Sequence, residues 1–222
     1  MKSAWSYSRL SMFEQCPTKY KFKHIDKLKE PDSPAMARGN EIHKMGEEYL
    51  QGKLKKVPEP YKLFAKEMKF LKKIKAKSEE QWAFDEDGES VDWFDPTVRL
   101  RIKMDAYYRV ADDIIVIDFK TGKPHAAEHE DQCKLYACGA LLKFPDARMF
   151  CVEMWYLDQA GALNTPVKSV FNYTKDQVEN LIPRFADRAS RIDKEKKFDA
   201  RPGFQCRWCT FSSTKGGPCK KG

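Results

Sequence analysis

Asp118 and Lys120 stand two positions apart in Ile117-Asp118-Phe119-Lys120-Thr121-Gly122. In an extended segment residues i and i+2 share a face. A carboxylate and an ammonium would therefore project together from the end of an apolar run, where burying either without a partner is costly. Asp105 lies in the preceding segment, Ile102-Lys103-Met104-Asp105. An antiparallel pairing across a turn at Asp112-Asp113 would bring it close to Asp118. Two neighbouring carboxylates repel unless a cation sits between them, and hard oxygen ligands suit Mg²⁺ or Mn²⁺. Such a metal lowers the pKa of a bound water and neutralises charge growing on a phosphate. Lys120 would orient the attacking water and stabilise the transition state. That is the chemistry of phosphodiester hydrolysis. The plain alternative is a salt bridge between Asp118 and Lys120 at a sheet rim.

The elements that must position these groups follow from periodicity. Gln81–Phe84, Val98–Val110 and Ile114–Phe119 alternate or run apolar and predict strands. Ala35–Leu50 predicts a helix, after a loop marked by Pro31, Asp32, Ser33 and Pro34. Tyr61–Lys77 predicts a second helix, rich in lysine. Glu128–Lys143 returns to helix, Met149–Leu157 and Lys168–Tyr173 predict strands, and Thr174–Lys197 a long helix opened by Thr174. The order implies an α/β fold with a central mixed sheet flanked by helices. We expect a single domain over 1–222. Its parts are a helical N-terminal section at 1–60 containing Cys16, a sheet core at 78–173 and a cysteine-rich tail at 199–222.

The 222 residues carry 41 Lys+Arg against 33 Asp+Glu, a formal net charge of +8, with 13% aromatics. That excludes a disordered polar chain and suits a polyanionic partner, since basic groups near phosphates release condensed counterions. No stretch reaches the roughly 20 apolar residues that span a bilayer, and Met1–Phe13 has no apolar signal core. A cytoplasmic location with no membrane contact is expected, whether in a bacterium or in a host cell.

The combination of blocks resembles the RecB-type branch of the PD-(D/E)xK nuclease superfamily. Gly39-Asn40-Glu41-Ile42-His43 looks like its Gly-x-x-x-His helix. Glu80-Gln81-Trp82 resembles its acidic residue opening the first strand, with Glu79 an equal candidate. Asp105 matches the second motif, Asp118-Phe119-Lys120-Thr121-Gly122 the Asp-x-Lys core, and Gln132-Cys133-Lys134-Leu135-Tyr136 the Gln-x-x-x-Tyr helix motif. The resemblance implies metal ligation by His43, Asp105, Asp118 and the Phe119 carbonyl, and catalysis by Lys120. It implies positioning by Gln132 and Tyr136, with Glu80 as a further catalytic carboxylate. Taken singly, His43 beside Glu47, Gln132 on a solvated helix face and Tyr136 in a core all have ordinary structural explanations.

Seven cysteines are present. Cys206-Arg207-Trp208-Cys209 and Cys219 lie in a tail too short and polar to fold without a staple, and a C-x-x-C tip suits thiolates converging on one metal. Cys16, in Phe13-Glu14-Gln15-Cys16-Pro17, is the candidate fourth ligand. One early and three late cysteines resemble the superfamily's subgroup closed by an iron–sulfur cluster. That subgroup includes nuclease subunits of helicase–nucleases and CRISPR-associated four-cysteine exonucleases. A [4Fe–4S] cluster is the implied cofactor. The nine residues between Cys209 and Cys219 exceed the subgroup's usual gap, which leaves tetrahedral zinc open.

Lys19, Tyr20 and Lys21 interleave charge with an aromatic ring, as single-strand binders do, and Arg38 is a further phosphate candidate beside the His43 helix. No nucleotide-binding G-x-x-x-x-G-K-[S/T] loop is visible, so any unwinding would come from a helicase or recombination partner. The expectation is a metal-dependent DNA exonuclease acting on single-stranded or resected ends in recombination, repair or end processing. The competing expectations are a non-catalytic DNA-binding module and a subunit active only with a helicase. Oligomeric state is open.

Overall fold

The computed structural model describes residues 4–31, 33–124 and 126–221; Asp32 of the expected loop lies outside them. The helices are α1 (Tyr7–Gln15), α2 (Pro17–Tyr20), α3 (Pro34–Leu50), α4 (Ala65–Lys73), α5 (Ala126–Lys143) and α6 (Lys175–Lys194). The strands are β1 (Lys77–Phe84), β2 (Ser90–Val91), β3 (Leu100–Val110), β4 (Asp113–Lys120), β5 (Met149–Ala160) and β6 (Pro166–Thr174). They form one mixed sheet in the order β2-β1-β3-β4-β5-β6, in which β4 and β5 alone run parallel. The expected fold class, an α/β sheet flanked by helices, is what forms.

Local chemistry explains most boundaries. Ser33 caps α3 by accepting the Met36 N–H, with Pro34 at the first helical position. Thr174 and Gln177 make a reciprocal capping box for α6. Several boundaries differ from the sequence reading, and three of them bear on the site. The basic helix expected over Tyr61–Lys77 is a 3₁₀ turn, Glu59–Phe64, followed by α4, which stops at Lys73. Lys75 adopts φ 57° there and turns the chain into β1, which begins at Lys77 rather than Gln81. The β3–β4 turn is Ala111-Asp112, one residue earlier than expected, because Val110 pairs with Asp113.

Two cores sandwich the sheet. One lies under α1, α5 and α6 and includes Ile114, Val116, Phe150, Val152 and Phe185. The other lies under α3 and α4 and includes Ile42, Tyr61, Phe64, Phe119 and Trp155. Gly46 permits the second: a Cβ there would stand 2.3 Å from the Tyr61 hydroxyl oxygen.

Two irregularities in this sheet create space for a site. The first is a change of face. Ile102 and Met104 pack in the α5 core, whereas Ala106 packs in the α3 core. Strict alternation would place all three on one face, so β3 rotates at Asp105. Across from it, between the pairs Ser78↔Ala106 and Glu80↔Met104, Glu79 adopts φ 55°. A left-handed backbone at a non-glycine residue costs on the order of 1–2 kcal/mol and persists where the surroundings enforce it.

The second irregularity is a fork. β3 and β4 pair only from Ala106 to Val110 and from Asp113 to Ile117. Beyond Ile117, β4 continues beside β5, with Asp118 opposite Met154 and Lys120 opposite Tyr156. The edge of β3 that β4 leaves is taken up further along by Trp5, bridged to Leu100.

Candidate metal and catalytic centre

Asp105 closes the fork. Its Oδ2 accepts the Phe119 N–H at 2.5 Å, pairing a backbone donor that β3 no longer reaches. Its Oδ1 lies 2.7 Å from His43 Nδ1. His43 comes from α3 on the opposite side of the sheet from α5, and Glu79 comes from the left-handed position in β1. Ligand atoms of His43, Glu79 and Asp105 all lie within 4.8 Å of one another. Among the described residues this is the one such group of metal-ligating side chains. Glu79 also ion-pairs with Lys103.

The sequence reading placed Glu80 in the site with Glu79 as the equal alternative. The fold brings Glu79 to the group, while Glu80 sits opposite Met104, one step away along β1. The reason is the left-handed turn at Glu79, which no alternation pattern encodes.

Asp118 and Lys120 share the α5 face of β4, as their spacing predicts. A closed ring of polar contacts joins them to α5. Lys120 Nζ lies 2.7 Å from Asp118 Oδ2 and donates to Gln132 Oε1 at 2.9 Å. Gln132 Nε2 donates to the Tyr136 hydroxyl at 2.7 Å. That hydroxyl donates to Asp118 Oδ1 at 2.6 Å, with the Lys103 carbonyl a further acceptor at 3.2 Å. Residues four apart on a helix share a face, so Gln132 and Tyr136 reach down together. Asp118 Oδ2 is buried and has the ammonium as its ion-pair partner but no aligned hydrogen bond.

The electrostatics follow from crowding three carboxylates and two basic groups in a dry place. Asp105 is 8% exposed, and its pKa is pushed up to about 6 by burial and by the negative charge of Asp118, against the pull of His43 and the Phe119 N–H. Burial alone would lower the His43 pKa, but the Asp105 hydrogen bond and the charges of Asp105, Asp118 and Glu79 raise it. Burial likewise opposes the charge on Lys120, and Asp118 and Asp105 outweigh it, so the ammonium is held above its ordinary pKa. Burial and the Asp118 charge keep the Tyr136 phenol firmly protonated.

The site fits a divalent cation on two grounds. Asp105, whose pKa burial and the Asp118 charge raise, gains from an ion beside it, and an imidazole stands with the carboxylates. A neutral imidazole favours Mn²⁺ somewhat over Mg²⁺.

The expected DNA contacts fare differently. Tyr20 is 2% exposed, with its ring stacked on Phe198 and edge-on to Phe13, so no face is left for a base. Lys21 pairs with Asp26. Arg38 makes a bidentate pair with Asp158, at 2.8 and 2.6 Å. Asp158 also accepts the Gly122 N–H at 2.7 Å, where Gly122 takes φ 93°. Arg38 therefore fastens the turn after Lys120 to α3. Lys19 alone of the four lines a groove that reaches Lys120.

Cys16, Cys206, Cys209 and Cys219 line one cavity, although they arise from opposite ends of the chain. All are free thiols. Cys133 and Cys138 are buried in the α5 core, where burial pushes the Cys138 thiol up to about 12, and Cys151 is half-buried.

Comparison with known proteins gives the fold a family. Among solved structures, the crystal structure of SSO0001 has a TM-score of 0.54 at 16% identity, covering 99% of this chain and 87% of that one. A protein from Eubacterium rectale, provisionally assigned as an exonuclease, has a TM-score of 0.54 at 13% identity, covering 93% of this chain and 88% of that one. At such identities the likeness concerns the fold. No curated protein matches the chain. The family model of the PD-(D/E)XK nuclease superfamily matches residues 4–214, nearly the whole chain, and the protein belongs to that superfamily.

Proposed function

We propose that the protein is a divalent-metal-dependent deoxyribonuclease that removes nucleotides from DNA ends, acting on single-stranded or resected DNA. One observation carries this: a His43–Glu79–Asp105 group of ligand atoms lies across the fork from a lysine held in a four-membered polar ring. His43, Glu79 and Asp105 would hold Mg²⁺ or Mn²⁺, joined by Asp118 and the Phe119 carbonyl. A bound divalent ion would supply water activation and charge neutralisation at the phosphate.

The chain's own groups do the rest. In hydrolysis the water oxygen bonds to phosphorus as the P–O bond to the leaving nucleotide breaks. The water's proton leaves as the leaving oxygen gains one. Lys120, kept protonated by Asp118, stabilises the negative charge that grows on the phosphoryl oxygens. Gln132 fixes the direction of the ammonium, and Tyr136 fixes the carboxylate that charges it. Arg38 and Asp158 hold the Thr121-Gly122 turn, so Lys120 cannot swing away from the phosphate.

The four cysteines are proposed to hold a structural [4Fe–4S] cluster that staples α1–α2 to the tail. The observation behind this is their shared cavity. Tetrahedral zinc at about 2.3 Å from each sulfur would draw the four sulfurs to roughly 3.8 Å. Four converging thiolates fit either group. Iron, sulfide and zinc analysis of anaerobically purified protein decides between them.

The function itself is tested by incubating the protein with end-labelled single- and double-stranded DNA and Mg²⁺ or Mn²⁺. Stepwise shortening from one end is expected, and the label gives its polarity. Retained DNA binding without cleavage would instead favour a binding module or a subunit that needs a helicase or recombination partner.

A further inference from the structure

On the α5 side of the fork lies a groove of about 640 Å³ that ends at Lys120, Gln132 and Tyr136. Its other walls are the start of α1, the beginning of β3 and the loop before β3. Two guanidinium groups line it, Arg9 from α1 and Arg101 from β3. Neither has a carboxylate partner among the described residues. Arg9 donates to the Ala4 carbonyl at 2.5 Å and Arg101 to the Trp93 carbonyl at 2.9 Å, so neutral oxygens alone hold them. Burial and the positive charge of Arg9 both depress the Arg101 pKa. Arg38, Arg99, Arg109 and Arg188, by contrast, all meet carboxylates. Two like charges brought together without a counter-ion gain from an anion between them.

Two neighbours identify the anion. The uncapped start of α1 opens into the same groove: Ser6 makes no side-chain cap, and Ser6, Tyr7 and Ser8 line the wall. The positive end of a helix, added to two guanidiniums, suits a phosphate. The Trp93 indole also lines the groove, with the Arg101 guanidinium 5.4 Å from its centroid, and Phe94 beside it is 86% exposed. An indole with a guanidinium over one side of its ring joins stacking to cation–π attraction, the pairing that holds an unpaired base. In a duplex the base faces are covered by their neighbours.

We propose that this groove is a subsite for one nucleotide of a single strand next to the scissile phosphate: Arg9 and Arg101 clamp its phosphate while Trp93 stacks its base. The subsite then holds the strand in register with Lys120. The assignment rests on the nuclease reading for its direction toward Lys120, but its binding prediction stands apart from catalysis.

The test measures binding of a fluorescent single-stranded oligonucleotide, without divalent metal, by the wild type, Arg101→Gln, Trp93→Ala and Trp93→Phe. Loss of the stack in Trp93→Ala should weaken binding about 5- to 150-fold, with Trp93→Phe restoring most of it. Arg101→Gln should lower the slope of log K against log salt by about 0.7, one single-strand phosphate contact. A mere packing role for Arg101 would leave that slope unchanged. Wild-type affinity and salt slope in both Trp93→Ala and Arg101→Gln would overturn the subsite, even with DNA cleavage intact. Impaired binding in the variants, with no cleavage by the wild type, would support the subsite and refute the nuclease reading.

Discussion

The Tyr136 hydroxyl donates to Asp118 Oδ1 at 2.6 Å, so a helix residue carries the carboxylate that in turn holds Lys120. Tyr136→Phe removes that donor and leaves a buried carboxylate oxygen short of a partner, a loss of about 1–3 kcal/mol where the charge is held. We expect cleavage to slow by about 10- to 100-fold with little change in substrate binding, read from single-turnover rates. An unchanged rate would mean that the ring is structural ornament around Lys120.

Glu79 and Glu80 separate cleanly by experiment. Glu79→Gln should weaken Mn²⁺ binding by at least about tenfold, whereas Glu80→Gln, opposite Met104, should leave it nearly as in the wild type. Isothermal titration calorimetry reads both. The reverse ranking would show that the left-handed turn at Glu79 does not set the site.

Proton competition gives the cation affinity a direction with pH. Asp105, with its pKa near 6, and His43, with a raised pKa, must both lose protons to ligate. Metal binding therefore releases protons, and affinity rises with pH. Mn²⁺ should bind about tenfold or more weakly at pH 5 than at pH 7.5, most of the change falling where Asp105 and His43 titrate. A flat profile would place the ion elsewhere.

The α3 helix is seated by Gly46. In Gly46→Ala the new Cβ would stand 2.3 Å from the Tyr61 hydroxyl oxygen, which also donates to the Ile42 carbonyl at 3.0 Å. Overpacking of this kind costs about 1–3 kcal/mol. A lower midpoint of denaturant unfolding is expected, together with weaker Mn²⁺ binding because His43 rides on the same helix.

The proposed cysteine staple would reinforce ties that exist without it: Thr18 donates to the Phe198 carbonyl at 2.5 Å and Arg201 to the Glu14 carbonyl at 2.6 Å. Cys209→Ala should lower thermal stability markedly while Mn²⁺ affinity at His43 changes little. Equal melting temperatures would argue that the four thiols hold nothing.

Much of this was legible in the chain itself. The Asp118–Lys120 spacing set both groups on one face, and the four-residue step from Gln132 to Tyr136 set both on one side of α5. Thr174 marked the start of α6, whereas Ser33, which caps α3, read as part of the preceding loop. Three things were not. The face change at Glu79 and Asp105 depends on a left-handed residue that only tertiary packing enforces. Tyr20 reads as an exposed aromatic among lysines, yet three rings surround it. Arg9 is distant in sequence from Trp93 and Arg101, and only the fold brings the three into one groove with Lys120. Lys103, which pairs with Glu79 and lines grooves on both sides of the fork, carried no signal in a strand read only for its apolar residues.

The most direct test compares wild type with Lys120→Ala on end-labelled single-stranded DNA, with and without Mn²⁺, alongside a titration of Mn²⁺ binding. The account predicts cleavage only with the metal, slowed at least about a hundredfold by the substitution while the ion still binds. Equal cleavage by both proteins, or cleavage independent of metal, would contradict it.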